Sequence, residues 1–162
     1  STGVAGGIDA CLKVTDVVAS DSLVYHDVWC GDGNEYGQVQ GFPASYEGCP
    51  SLLRHALSLN EAGMESRIHS GLVCTGDRFI TNRMELDTIK QRFPGGLAVD
   101  MESAAIAQTC HLYNVPFLSF RIISDTPGVE DHASQYADFW GTMAERSFLT
   151  IWTFLSTLPS NL

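Results

Sequence analysis

Val99-Asp100-Met101-Glu102-Ser103-Ala104-Ala105 is followed, one helix later, by Phe120-Arg121-Ile122-Ile123-Ser124-Asp125. Each segment opens as an apolar run and stops abruptly in carboxylates. Short apolar runs bounded by polar turn residues predict buried strands. Strands that alternate with helices predict an α/β domain with a largely parallel or mixed sheet. In such a sheet ligands bind where strands end. Two carboxylates at separate strand ends have two jobs open to them: one holds hydroxyls, the other moves a proton.

The pattern extends in both directions. A short strand over 97–99 leads into a helix over 101–113, where Ala104, Ala105 and Ala107 permit close packing. Residues 116–124 form the next strand, and 126–131 a turn-rich loop. Upstream, 67–75 is strand-like and ends at Gly76-Asp77, and 85–93 is a short helix closed by Pro94-Gly95-Gly96. Residues 14–25 read as one or two strands around Ser20-Asp21-Ser22, and 29–50 as a long surface loop. Ser51 is placed to cap a helix carrying Leu52, Leu53, Ala56 and Leu57, stopped by Gly63. The longest helix covers 134–158. Its Tyr136, Phe139, Trp140, Met143, Phe148, Ile151 and Leu155 recur at helical spacing and dock on the sheet. The opening, Gly3 to Gly7, reads as a glycine-rich loop.

A chain of 162 residues is long enough for one domain, residues 1–162, with a real core. Its net charge of −10 and scattered basic residues argue against nucleic-acid and anionic-membrane partners. No apolar run approaches the ~20 residues that a membrane helix needs. Five cysteines without a CxxC pair read as free thiols in a reducing compartment, hence a cytoplasmic protein. His26 and Cys30 stand at helical spacing, but two residues make no metal site, and no metal is expected.

Asp125 follows an apolar strand and precedes Thr126-Pro127-Gly128, so it is a proton donor or ligand acceptor at a strand mouth, or an ordinary turn residue. Asp100 is positioned to cap the next helix, which leaves Glu102 without a capping duty and Met101 apolar beside it. Arg121, inside an apolar strand, needs a carboxylate or anion, and Glu102 is the nearest candidate by topology. In Cys74-Thr75-Gly76-Asp77-Arg78-Phe79-Ile80 the glycine lets backbone approach a ligand, Phe79 is able to stack on a planar base or plug the site, and the Ile80 backbone to read base edges. The glycine-rich opening lacks the spacing of phosphate-binding loops.

Six segments occur in order: Thr2-Gly3-Val4-Ala5-Gly6-Gly7, Tyr25-His26-Asp27, Glu35-Tyr36-Gly37-Gln38, Thr75 to Ile80, Asp100 to Ala105 and Arg121 to Asp125. Together they resemble the methylthioadenosine/S-adenosylhomocysteine nucleosidases of the purine nucleoside phosphorylase superfamily. The resemblance implies a three-layer α/β/α fold whose mixed central sheet closes partly into a barrel, a homodimer, an adenine nucleoside as substrate, and no cofactor. It implies that Asp125 protonates adenine N7 with Ser124 hydrogen-bonding nearby. Glu102 would bind the ribose hydroxyls with Met101 against the sugar and Arg121 in support, and Asp100 and Val4 would complete the substrate-binding residues. Phe79 would stack on adenine and the Ile80 backbone would pair with its edge. A purine leaves poorly as an anion, so N7 protonation lowers the barrier, and burial must raise the pKa of Asp125 for it to carry the proton.

The sequence departs from that family in three places. Family members begin with a strand and a glycine-rich turn carrying the glutamate that activates water, an opening part absent before Ser1. Val4 stands where a small hydroxyl residue near the ribose is usual. Residues 29–34 replace an aromatic-bearing stretch that lines a neighbouring subunit's 5′-thioalkyl pocket. A chain beginning in a loop is expected to leave a central strand unpaired, to be poorly soluble alone and to lack hydrolysis. A phosphorylase, another adenine-nucleoside nucleosidase and a non-catalytic nucleoside-binding fragment are the alternatives.

Overall fold

The computed structural model describes residues 1–63, 66–127 and 129–159, without the side chains of 62, 142–144, 146 and 147. In chain order the elements are β1 Thr2–Gly7, β2 Val17–Tyr25, β3 Tyr46–Glu47, α1 Pro50–Ser58, β4 Ile68–Thr75, α2 Arg83–Arg92, β5 Gly96–Asp100, α3 Ser103–Leu112, β6 Phe120–Asp125, α4 His132–Asp138 and α5 Ala144–Ser156. A π-helical turn over Phe139–Met143 joins the last two. The expected long helix is therefore one helical run with a local widening. Met143, one of its expected docking residues, and Gly128, in the expected turn, have side chain and backbone respectively outside the described residues.

The sheet runs β3-β2-β4-β5-β1-β6 and closes on itself because β2 also pairs with β6. Parallel pairings join β2 to β4, β4 to β5 and β1 to β6, while β1–β5 and β2–β6 are antiparallel. The mixed sheet of the α/β expectation is thus a five-stranded barrel with β3 appended to β2. Closure removes edges that would otherwise expose unpaired backbone groups.

This geometry corrects the reading of the opening segment. Residues 2–7 are a strand, paired with β5 on one side and β6 on the other. No central strand is left unpaired among the described residues. The misreading has a physical cause: glycine is depleted in strands, yet in a strand it marks close approach by a neighbour. A Cβ at Gly3 would strike the guanidinium of Arg121, and one at Gly6 would crowd the Pro127 ring at 2.7 Å.

Three apolar clusters fix the helices around the barrel. Val17, Ala19, Phe120 and Ile122 pack with Ala56 of α1 and Ile151 and Phe154 of α5. Phe154 stacks on Phe120, ring centroids 4.8 Å apart. Burying each such side chain is worth about 1.5–3 kcal/mol. Val18, Leu23, Val73, Ala98 and Ile123 pack with Ala107 of α3. Val24, Cys74 and Val99 pack with Leu86 and Ile89 of α2. Helix α2 starts as its sequence dictates, Asn82 accepting the Glu85 N–H at 2.9 Å. Helix α1 does not: Pro50 holds its first turn after Cys49, and Ser51 lies inside it, bonded to the Cys49 thiol at 3.2 Å. No helix among the described residues is long and apolar enough to cross a membrane.

Candidate active site

Gly6 pairs with Val99 on one side and Asp125 on the other. The ends of β5 and β6 therefore meet across β1, and the two acidic segments that open the sequence reading face one cavity of about 520 Å³. Its walls are β1, the loop after β4, the β5–α3 junction, the end of β6, and Tyr136 and Trp140 of the last helical run. All nine expected site residues, Val4, Phe79, Ile80, Asp100, Met101, Glu102, Arg121, Ser124 and Asp125, line it.

Their environments differ sharply. Asp125 is 2% exposed. Ser124 Oγ donates to its Oδ1 at 2.5 Å, and His132 Nε2 lies 2.8 Å from its Oδ2. Burial pushes its pKa above the ordinary carboxylate range, against the pull of the Ser124 hydroxyl and the His132 charge. Glu102, at the N-terminus of α3, has a side chain 59% exposed and one cationic neighbour, Arg121 Nη1 at 3.5 Å. It lines the cavity as its exposed carboxylate.

Asp100, read from the sequence as the cap of the next helix, stands two residues ahead of the N-cap position, which Glu102 occupies without a side-chain cap bond, and its carboxylate is held inside the protein. Thr75 donates to its Oδ1 at 2.6 Å, the Ser103 hydroxyl donates to its Oδ2, and Arg121 Nε sits 2.8 Å from Oδ2. Both oxygens are engaged inside the protein. Arg121 is also tied to Ser103 and Ser119 through Nε, at 3.0 and 3.1 Å. Asp100, rather than Glu102, is thus the principal partner of this buried arginine, and Glu102 is the secondary one. A buried ion pair is tolerated when its remaining donors and acceptors are satisfied, as the serines and Thr75 do here. The consequence for the site is a guanidinium fixed in place beside Glu102.

Phe79 is 54% exposed, with its ring 5.8 Å from that of His132 and 5.5 Å from that of Tyr136, centroid to centroid. An exposed aromatic face at a cavity wall is a stacking surface for a planar group. Ile80 is buried behind it. Val4 and Met101 add apolar surface.

Sequence reasoning missed three residues. Tyr136 and Trp140 were assigned to docking on the sheet because helical spacing marks an apolar face without saying what it faces. Here Phe139 is buried in the core while its neighbour Trp140 and Tyr136 turn to the cavity. His132, the partner of Asp125, carried no signal beyond being a histidine shortly after a strand-end aspartate.

The sequence profile of the phosphorylase superfamily matches residues 1–156. The 5′-methylthioadenosine/S-adenosylhomocysteine nucleosidase of Chromohalobacter salexigens is 46% identical over 135 residues, which are 83% of this chain and 57% of that protein. This chain thus spans little more than half the length of that curated relative. Among solved structures, the S-adenosylhomocysteine nucleosidase of Streptococcus pyogenes in complex with 5-methylthiotubericidin superposes with a TM-score of 0.88 at 37% identity, covering 98% of this chain and 66% of its own. The corresponding nucleosidase of Colwellia psychrerythraea in complex with adenine gives 0.89 at 34% identity, covering 99% of this chain and 67% of its own.

Proposed function

Because the chain belongs to the phosphorylase superfamily, we propose that its cavity binds an adenine nucleoside and takes part in hydrolysis of the N-glycosidic bond of 5′-methylthioadenosine and S-adenosylhomocysteine, releasing adenine. One observation carries this reading: a sealed carboxyl with a raised pKa and an exposed, arginine-supported carboxylate share one cavity. Adenine stacks on Phe79 with its edge along the Ile80 backbone. Asp125 gives its proton to N7, so that the purine departs neutral. Glu102 accepts hydrogen bonds from the ribose hydroxyls, and these strengthen as positive charge grows on the sugar ring. Proton transfer of this kind is worth ~10²–10⁴-fold. No cofactor or metal enters these steps.

The carboxylates lining the cavity are Asp100, Asp125 and Glu102, and each already has a part. Activation of the attacking water falls, in this reading, to a glutamate of the kind the family carries ahead of the segment matched here. A phosphorylase would instead need cationic donors free for phosphate. Of the arginines lining the cavity, Arg121 is engaged by Asp100 and Glu102, and Arg78 pairs with Glu85, which favours hydrolysis. The same reading gives a cytoplasmic homodimer. Ile106, Leu112, Tyr113 and Val115 on and after α3 offer exposed apolar surface for a partner subunit.

The test is product chromatography after incubation of the full-length parent protein, with the family's preceding segment present, with methylthioadenosine in phosphate-free buffer. Adenine and methylthioribose are expected. Product that forms only on adding phosphate would replace the hydrolase with a phosphorylase, and adenine binding without turnover would leave a nucleoside-binding module.

A further inference from the structure

Asp125 has no contact with a backbone N–H among the described hydrogen bonds, and both of its neighbours are side chains. One is the hydroxyl of Ser124. The other is His132, the first residue of α4, itself 7% exposed. Its Nε2 lies at ion-pair distance from Asp125 Oδ2 yet has no partner in hydrogen-bond geometry, and it is sealed from water. A buried ring nitrogen left this way costs free energy unless a small swing of ring or carboxyl completes the bond. The surroundings hold the ring in place: Phe79 packs against it, and Gln135, on the same helix, accepts the Thr126 N–H at 2.9 Å, tying α4 to the end of β6. The His132 ring packs between the Asp125 carboxyl and Phe79 without itself lining the cavity.

We propose that His132 is a positioning residue for Asp125: its imidazole holds the carboxyl toward the cavity and returns to it the proton given to the departing purine. The inference rests on the reading of Asp125 as proton donor. The steps balance. The Asp125 proton passes to N7 as the glycosidic electron pair moves onto the purine. The carboxylate formed then takes a proton from the imidazolium Nε2. The neutral ring tautomerises, moving its remaining proton to Nε2, and regains one at Nδ1, since Nε2 is sealed from water. Other ionisable groups around the pair are Arg78, Asp100, Glu102, Arg121 and Tyr136 on the cavity wall, and Glu130 and Asp131 just before α4. The arginines are compensated by Glu85, Asp100 and Glu102, which leaves His132 as the charge acting directly on Asp125.

The experiment is calorimetric binding of free adenine against pH, which needs no turnover. Asp125 must carry a proton to donate to N7, so affinity falls as pH rises through its pKa. The imidazolium favours the ionised carboxylate. His132→Gln keeps a donor nitrogen at the same reach but removes the charge, so the fall in affinity moves to higher pH. His132→Phe, which keeps the ring contact with Phe79, gives the same upward move and serves if the glutamine variant does not fold. A fall at the same pH in the parent and both variants overturns the role of His132 and leaves the adenine site intact. Absence of adenine binding at every pH overturns the functional reading itself, and the inference with it.

Discussion

Two aspartate–histidine pairs stand in this chain, Asp125–His132 at 2.8 Å and Asp16–His69 at 3.1 Å. Both aspartates are buried, at 2% and 9% exposure. Their remaining partners separate them. Asp16, just ahead of β2, accepts the Lys13 N–H at 3.0 Å and the Arg67 N–H at 3.4 Å, stitching two loops together. It is used up as an acceptor. Asp125 has a hydroxyl and an imidazole, and it faces a cavity. In the proposed reading the same two side chains make a structural clasp in one place and a proton-handling pair in the other. What decides is whether backbone N–H groups or exchangeable side-chain protons surround the carboxylate.

Exchanging Asp125 for Asn attacks this distinction where the effect should be largest. The amide keeps shape and hydrogen bonding but has no acid proton to give. Turnover of methylthioadenosine should fall ~10²–10⁴-fold, with nucleoside binding still measurable. Near-parental turnover would return Asp125 to the class of Asp16.

A smaller effect is expected at the exposed carboxylate. Glu102→Gln removes the charge that accepts from the ribose hydroxyls, where a charge-assisted bond is worth about 1.5–3 kcal/mol. Comparing a 2′-deoxy substrate with its parent in both proteins reads this directly. The penalty for losing the hydroxyl should shrink in the variant, and an equal penalty in both would show that Glu102 does not touch it.

The smallest change belongs to the clasp. Asp16→Asn retains one acceptor oxygen and weakens the backbone bonds by about 1 kcal/mol in total. Thermal unfolding should shift downward by that amount, and adenine affinity at saturating fold should not move. A loss of adenine affinity in this variant would erase the contrast between the pairs.

How much of this was legible beforehand follows from what each residue depends on. The carboxylates at the ends of β5 and β6 could be read because strand ends follow from short apolar runs, and the chemistry from residue type. The loop after β4 was legible for the same reason. The strand at 2–7 was not, since its glycines serve Arg121 and Pro127, contacts between segments more than a hundred residues apart. The preference of Arg121 for Asp100 over Glu102 depends on where Thr75 and Ser103 place the Asp100 oxygens. Trp140 and Tyr136 turn toward the cavity beside a π-helical widening that apolar spacing does not announce.

The central claim is that burial keeps a proton on Asp125 where an ordinary aspartate has lost it. Carbon-13 NMR of carboxyl-labelled aspartate, titrated with pH and assigned by Asp125→Asn, measures this without ligand or turnover. The account predicts one resonance, missing from the variant, that titrates above the ~3.9 of a free aspartate. An Asp125 resonance that titrates at or below that value would contradict it.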